Sequence, residues 1–156
     1  MTPAEETIQR LYESVKRGRP EEAAECYCDD ATYRDIAFDL KGKDDIAAMW
    51  RLVCSRGVEV EFEDIRTEGD QVKGHWVFDY DFHGTNPVHN EMDSTFTFRN
   101  GKIFVHHDEA SRWRWATQAL GYPKGALVTV FPFILRRQAR GELERFKRGE
   151  RAEQPV

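Results

Sequence analysis

The most chemically suggestive stretch of the sequence is FVHHDEASRWRW, residues 104–115. The chain turns from apolar to polar within one residue there, with His106, His107, Asp108 and Glu109 in succession. Side chains alternate along a strand, so His106 and Asp108 share one face. An Asp on the same face can orient an imidazole and stabilise its charge, which suits acid–base chemistry. We predict that His106 or Asp108 reaches a cavity and acts in catalysis.

Asp35 is a second candidate, on a predicted strand over residues 31–38 that also carries Tyr33 on the same face. Trp50 and Met49 are expected nearby. A general base needs a pKa raised toward the working pH, and burial in an apolar cavity raises the pKa of a carboxyl. Asp35 could therefore remove a proton next to a carbonyl, or activate a water molecule.

Both sets of residues have structural alternatives. Asp35 could be a strand-end acid that accepts hydrogen bonds from backbone amides. His106 and Asp108 could instead pair with Arg99 or Arg112 at the rim of the sheet. Polar groups buried without partners cost about 1–3 kcal/mol each, so they must lie at a wet cavity, at the rim, or in mutual hydrogen bonds.

A metal site is the other chemical alternative for this stretch. His-x-Asp is the first half of a non-haem iron site in other folds, but the third ligand is then a later histidine, and none follows His107. His75, His83 and His89 could complete a site only across the sheet. We therefore predict acid–base chemistry without a metal and without another cofactor.

Composition limits the class of protein. The chain has 156 residues, of which 40% are hydrophobic, enough for one domain with a substantial core. Its net charge of −5 argues against broad nucleic-acid binding. Residues 134–156 are basic, however, with seven Lys/Arg and four Glu. They favour a solvated helix face, with an acidic partner or a membrane surface as alternatives.

The cysteines and the hydropathy pattern bear on the compartment. Cys26, Cys28 and Cys54 form no CxxC motif, and their odd number indicates reduced thiols and a cytoplasmic protein. No signal peptide is recognisable. The longest apolar run, residues 126–135, is interrupted by Pro132 and is too short for a transmembrane segment.

Hydrophobic periodicity predicts the elements that position these residues. Thr2-Pro3-Ala4-Glu5 is a capping box at the start of a first helix, a short second helix holds Ala23, Ala24 and Tyr27, and a third follows Gly42. Four strands follow the third helix, over residues 58–67, 71–83, 88–99 and 102–109. The apolar stripe Leu135, Ala139, Leu143 and Phe146 predicts a helix over residues 133–148.

Helices at the front and a long meander behind them define an α+β protein. We predict a cone-shaped, curved mixed sheet wrapped around the N-terminal helices, with an extra C-terminal helix. Residues 1–130 would form the pocket domain, and residues 131–156 a basic amphipathic helical tail of the same domain. Val77, Thr95 and Thr97 lie opposite the presumed core, which predicts a homodimer through the sheet.

Two segments together resemble a known family. They are CYCDDATYRDIAFDLKGKDDIAAMW, residues 26–50, and FRNGKIFVHHDEASRWRWATQALG, residues 98–121. Both are similar to the nuclear transport factor 2-like superfamily, which includes ketosteroid isomerases, SnoaL-like polyketide cyclases and limonene-epoxide hydrolases. The resemblance implies a cystatin-like α+β barrel with a hydrophobic pocket.

The resemblance also implies roles for individual residues. Asp35 stands where the isomerases have their general base. The oxyanion-binding positions of the isomerases would fall at Ser94 and at Leu11 or, with one gap, Tyr12. His106 and Asp108 resemble the His-x-Asp of the SnoaL-like cyclases.

We therefore expect a SnoaL-like protein that binds a small hydrophobic molecule. It would be an acid/base lyase, isomerase, cyclase or hydrolase. The expected pocket-lining residues are Tyr12, Tyr33, Trp50, Trp76, Ser94 and Trp113. The alternative is a non-catalytic ligand-binding or protein-interaction module of the same fold. Convergence of Asp35 with His106 or Asp108 at one cavity would favour the enzyme.

Overall fold

The computed structural model describes residues 1–82, 84, 86–122, 124–130 and 132–149. Predictions that concern His83, Thr85 and residues 150–156 lie outside them. The helices are α1 (Pro3–Lys16), α2 (Pro20–Ala24), α3 (Lys43–Ser55), α4 (Arg112–Leu120), α5 (Lys124–Val130) and α6 (Pro132–Lys147). The strands are β1 (Tyr27–Arg34), β2 (Asp39–Lys41), β3 (Glu59–Glu68), β4 (Gln71–Phe82), β5 (Asn86–Arg99) and β6 (Lys102–Glu109).

The six strands form one mixed sheet in the order β2-β1-β6-β5-β4-β3. Strands β3 to β6 are an antiparallel meander, whereas β1 pairs in parallel with β6. The sheet is curved and does not close into a complete barrel. The predicted α+β fold, with a mixed sheet and a C-terminal helix, is confirmed.

Helix α1 begins as its sequence predicts. The Thr2 hydroxyl accepts a hydrogen bond from the Glu5 amide, and the Glu5 carboxylate accepts one from the Thr2 amide. Its buried face includes Tyr12, whose ring lies 4.1 Å from that of Trp76, centroid to centroid. Gly74 makes this contact possible, because a Cβ there would lie 2.7 Å from the Tyr12 hydroxyl. The first helix therefore fills one end of the cone.

The first strand differs from the prediction at both ends. Tyr27 begins β1 instead of ending the second helix, and the strand stops at Arg34 instead of continuing to residue 38. Asp35 causes this early end, since its Oδ1 accepts hydrogen bonds from the amides of Ala37 (2.7 Å) and Phe38 (2.6 Å). A short acid that bonds the backbone two and three residues further on favours a turn over a strand.

Helices α4 to α6 cover the end of the sheet that lies beyond Asp35. Trp115 on α4 and Leu135 on α6 form a second apolar cluster with Val88, which Ala37 and Tyr80 also contact. Helix α6 also supplies Ala139 and Leu143 to the main core, which confirms the predicted C-terminal helix. None of the described helices is both long and apolar enough to span a membrane.

Candidate active site

A buried hydrogen-bond network joins β1 and β6. His106 and Asp108 share the inward face of β6, as predicted, and are only 0% and 1% exposed. His106 Nε2 lies 2.7 Å from Asp108 Oδ1, and its Nδ1 lies 2.7 Å from the Tyr27 hydroxyl. The two ring nitrogens of His106 therefore bridge Asp108 on its own strand and Tyr27 on β1.

Asp108 is a buried carboxylate with a full set of donors. Its Oδ1 accepts hydrogen bonds from the Ser94 hydroxyl and from His106, and its Oδ2 lies 3.1 Å from the Tyr33 hydroxyl. Buried charges require such partners, and bonds to an ionised acceptor are the strong ones. The alternative partner Arg99 instead pairs with Asp30. Asp108 therefore belongs to an internal network and not to a rim ion pair with Arg99.

Tyr33 connects this network to Asp35. Its hydroxyl lies 2.8 Å from Asp35 Oδ2 and 3.1 Å from Asp108 Oδ2. One hydroxyl carries one proton, so Tyr33 donates to only one of the two carboxylates at a time. The other carboxyl is stabilised when it carries a proton of its own and donates that proton to the Tyr33 oxygen. The geometry therefore favours a proton shared among Asp35, Tyr33 and Asp108.

The surroundings of Asp35 raise its pKa above the ordinary value for an aspartate. Burial is the largest cause, and the negative charge of Asp108 adds to it. The amides of Phe38 and Ala37 act in the opposite direction, because they stabilise the ionised form. Asp35 thus has a raised pKa, as a general base requires. It also accepts hydrogen bonds from backbone amides, which is the structural role predicted as the alternative.

Asp35 and Tyr33 line a cavity of about 60 Å³, or about 440 Å³ when the open space at its mouth is counted. Its apolar walls include Phe38, Met49, Trp50, Phe78 and Met92. Its polar lining comprises Tyr33, Asp35, Arg56, Tyr80 and Asn90. Drug-sized ligands occupy pockets of about 300–1,000 Å³, so the inner part admits only a small group and the rest of a ligand must lie in the mouth.

The structure brings only some of the predicted residues to this cavity. Tyr33 and Trp50 line it, whereas Tyr12, Trp76 and Ser94 lie in the packed interior and are not part of its wall. Trp113 is 49% exposed on α4 and also lies outside it. His106 and Asp108 do not reach the cavity surface either; they are linked to it through Tyr33. The physical reason is that α1 occupies the volume in front of Trp76.

Three polar lining residues, Arg56, Tyr80 and Asn90, were not among the predicted site residues. Tyr80 could have been found, because strand alternation places it on the same face as Trp76 and Phe78. Asn90 could have been found in the same way, because it lies two residues before the buried Met92 and therefore on the same face of its strand. Arg56 directly follows α3 and pairs with Glu142 of α6, a contact that no local pattern indicates.

Two histidines of the metal alternative, His75 and His89, lie away from the cavity. His75 pairs with Asp93 at 2.9 Å and His89 with Asp79 at 2.7 Å, on the outward face of the sheet. His75 and His89 line a separate polar groove of about 290 Å³. Within the described ranges, no three His, Cys, Asp or Glu side chains are placed to hold a metal ion.

Comparison with known families identifies the fold family. The model of the SnoaL-like domain matches residues 8–106, more than half of the chain. The chain therefore belongs to the SnoaL-like family, within the nuclear transport factor 2-like superfamily. The match ends at His106, so Asp108 and helices α4 to α6 lie beyond it.

Solved structures agree with this assignment. A protein with a ketosteroid isomerase-like fold from Catenulispora acidiphila, in complex with trimethylamine, is 19% identical with a TM-score of 0.65, covering 73% of this chain and 92% of its own. An epoxide hydrolase of the LEH-like type from M. tuberculosis is 19% identical with a TM-score of 0.64, covering 83% and 96%. A putative polyketide cyclase from Xanthomonas campestris is 17% identical with a TM-score of 0.63, covering 75% and 96%.

These identities are low enough that the likeness concerns the fold alone, which hosts many chemistries. Among proteins with curated descriptions, none matches the chain significantly.

Proposed function

We propose that this protein is an acid–base enzyme that acts on a small, largely hydrophobic molecule, with Asp35 as its general base. The observation that carries the proposal is the position of Asp35. Its carboxylate borders a mostly apolar cavity, and its pKa is raised by burial and by Asp108. These are the conditions under which a carboxylate takes protons near neutral pH.

Tyr33 and Asp108 would support the proton transfer. While Asp35 is ionised, the Tyr33 hydroxyl donates to it. Once Asp35 has taken a proton, the Tyr33 hydroxyl can turn its own proton to Asp108, which Ser94 and His106 hold in place. Burial raises the pKa of Tyr33 well above its ordinary value, and the two carboxylates raise it further. Tyr33 therefore remains a donor throughout.

The test is turnover of a panel of small ketones, esters and epoxides, followed by NMR in deuterated buffer. Asp35→Asn should lower turnover by about 10²–10⁴-fold, the usual contribution of a general base. Asp93→Asn is the matched control, because Asp93 lies on the outward face with its side chain 84% exposed. Equal turnover by Asp35→Asn and the wild type would refute the role of Asp35.

A non-catalytic binding module is the second candidate. It is favoured by the two backbone amides that hold Asp35 Oδ1, because a carboxylate fixed in a turn already has a structural reason to be there. The same panel separates the two functions. A binding module would give ligand-dependent shifts in the spectrum of the protein, with no turnover by the wild type and no loss of binding in Asp35→Asn.

We also propose that the protein is a cytoplasmic homodimer that binds no nucleic acid. Support for the cytoplasm comes from the cysteines, since Cys26, Cys28 and Cys54 are all free. Support for the dimer comes from the outward face of the sheet, where Val77, Thr95 and Thr97 are only half-buried.

A further inference from the structure

The cavity beside Asp35 is walled mainly by aromatic rings. Its described lining contains five of them, together with two methionine thioethers: Tyr33, Phe38, Trp50, Phe78, Tyr80, Met49 and Met92. The rings of Tyr33 and Trp50 stand nearly at right angles, at 76°, with their centroids 5.9 Å apart. Aromatic faces carry negative partial charge and attract cations, most strongly where water is excluded. Such walls therefore suit a cation as well as an apolar group.

The charged side chains around the cavity also favour a cation. Asp35 borders the cavity, and Asp108 lies behind it, joined through the Tyr33 hydroxyl. Among the described residues, no Lys or Arg forms an ion pair with either carboxylate. Arg56, the one cation in the described lining, is already paired with Glu142 of α6. The cavity therefore lacks a counter-charge for its carboxylates, and a cationic ligand would supply one.

The polar atoms of the cavity select among cations. Asp35 Oδ1 already accepts hydrogen bonds from two backbone amides, and its Oδ2 lies 2.8 Å from the Tyr33 hydroxyl. The Tyr80 oxygen accepts a hydrogen bond of 2.6 Å from Trp115 Nε1. A primary ammonium group needs acceptors for three N–H protons. A fully methylated ammonium group needs none, and its methyl groups bury apolar surface against the rings and the methionines.

The size of the inner cavity fits such a group. A water-sized group requires about 10–15 Å³, so the inner 60 Å³ holds about four to six of them. A trimethylammonium group, with one nitrogen and three methyl carbons, is of that size. The rest of a ligand that carries this group would lie in the mouth of the cavity.

We propose that the cavity is an aromatic cage for a methylated ammonium group, and that its ligand is a small quaternary ammonium compound. This inference rests on the proposed function for its site and adds the chemical class of the ligand. The cation lies against the rings of Trp50 and Phe78, with Asp35 as its counter-charge. Binding makes and breaks no covalent bond. The bound cation also favours the ionised form of Asp35, which is the form that accepts a proton.

Three small alcohols that differ at one end test the proposal. Choline carries a trimethylammonium group, 3,3-dimethylbutan-1-ol has an uncharged carbon in place of that nitrogen, and ethanolamine has N–H protons in place of the methyl groups. NMR of isotope-labelled methionine methyl groups measures binding, because Met49 and Met92 line the cavity whereas Met1 is 72% exposed. Choline should bind at least about tenfold more tightly than the other two. It should shift the signals of Met49 and Met92 and leave that of Met1 in place.

Two variants separate the contributions of the rings and of the charge. Phe78→Leu keeps apolar bulk but removes an aromatic face, so the preference for choline over 3,3-dimethylbutan-1-ol should fall by about three- to tenfold. Asp35→Asn removes the counter-charge, so the same preference should fall by at least about tenfold. Asp93→Asn is the control and should bind choline as the wild type does, because Asp93 lies on the outward face and borders the separate polar groove. Thermal unfolding checks that each variant is folded, and the comparison of the three ligands on the wild type needs no variant.

The outcomes separate this inference from the function on which it rests. If choline does not bind, or binds no more tightly than its uncharged analogue or ethanolamine, the aromatic cage is refuted. If the preference for choline is unchanged in both folded cavity variants, choline binds elsewhere and the cage is again refuted. If choline binds selectively and Asp35→Asn retains full turnover of ketones, esters and epoxides, the cage stands and the general base fails. If turnover depends on Asp35 but choline binds without selectivity, the proposed function stands and the cage fails.

Discussion

Tyr33 is the residue that couples the two carboxylates, because its one hydroxyl lies within hydrogen-bonding distance of both. Its bond to Asp35 favours the ionised carboxylate and so lowers the pKa of Asp35. Tyr33→Phe removes that bond while keeping the ring. We expect the pKa of Asp35 to rise further, so that the acidic limb of the pH–rate profile moves to higher pH.

The measurement is the pH dependence of turnover, with Tyr122→Phe as a control that should leave the profile unchanged. The free energy of unfolding should fall by about 1 kcal/mol, the usual net value of one intramolecular hydrogen bond. If the acidic limb of the pH–rate profile of Tyr33→Phe stays in place or moves to lower pH, Tyr33 does not stabilise an ionised Asp35.

The two aspartates should respond differently to the same substitution. In Asp35→Asn, the amide oxygen can keep the two backbone bonds while its NH₂ donates to Tyr33, which then donates to Asp108. In Asp108→Asn, one of the two oxygens that face Ser94, His106 and Tyr33 becomes an NH₂ group, which can only donate. We expect Asp108→Asn to lose about 1–3 kcal/mol of stability and Asp35→Asn to lose none at neutral pH.

The raised pKa of Asp35 makes the stability of the protein depend on pH. Its folded pKa is raised, so between the unfolded value, about 3.9, and the folded value the native state holds more protons than the unfolded state. Stability should therefore fall as pH rises through that window in the wild type, and this part of the fall should be absent in Asp35→Asn. Denaturant unfolding at a series of pH values measures the stability of the wild type and of both variants. If Asp35→Asn is less stable than Asp108→Asn at neutral pH, the predicted difference between the two aspartates is wrong.

At the scale of the elements, the packing of α5 against α4 depends on Gly125. A Cβ at Gly125 would lie 2.7 Å from the backbone oxygen of Ala116, so the two helices approach at backbone distance. Gly125→Ala should separate them and cost about 1–3 kcal/mol, the usual range for overpacking. The change should also disturb Trp115, which lies next to Ala116 on α4.

Gly141 on α6 is the matched control for Gly125. The nearest atom to a Cβ there is the end of the Arg145 side chain, at 3.9 Å. Gly141→Ala should therefore raise stability by up to about 1 kcal/mol through helix propensity alone. Thermal unfolding of the two variants measures the contrast, and equal changes of the same sign would rule out the proposed close approach.

The elements also show how far the sequence determines the fold. Helix α1 was predictable because its cap and apolar stripe are local signals. The end of β1 was not predictable in this way. The alternating pattern includes Asp35 in the strand, whereas the bonds of Asp35 to the amides of Ala37 and Phe38 end the strand. The short strand β2 and the division into α4 and α5 depend on tertiary contacts that short segments do not encode.

The site was predictable to a similar extent. Alternation correctly put His106 and Asp108 on one face, and the family resemblance singled out Asp35. The prediction that Tyr12 and Trp113 line the cavity was wrong, because their positions depend on how α1 and α4 pack. Arg56, Tyr80 and Asn90 meet only in three dimensions, from α3, β4 and β5.

For the whole molecule, the prediction concerns association. The outward face of the sheet has a half-buried centre of Val77, Thr95 and Thr97, flanked by exposed acids such as Glu91 and Asp93. If two such faces meet about a two-fold axis, Thr97→Arg places like charges against each other at the interface. We expect the wild type to be a dimer and Thr97→Arg to be a monomer with a retained fold.

Light scattering across a wide concentration range measures the mass of both proteins. Gln138→Arg adds the same charge on the exposed side of α6 and should remain a dimer. A wild type of monomer mass at every concentration would contradict the sheet-mediated dimer.

The parallel pairing of β1 with β6 has a consequence for biosynthesis. Tyr27 and His106 are 79 residues apart in sequence, and Tyr33 and Asp108 are 75 apart. The hairpins of the meander close short loops and can form early, whereas β1 must wait for the last strand, because long loops close slowly and at a larger entropic cost. On the ribosome, β1 therefore emerges long before its partner strand β6 does. The proton-sharing network should consequently be absent from the nascent chain and form only in the final steps of folding, after β6 has left the exit tunnel.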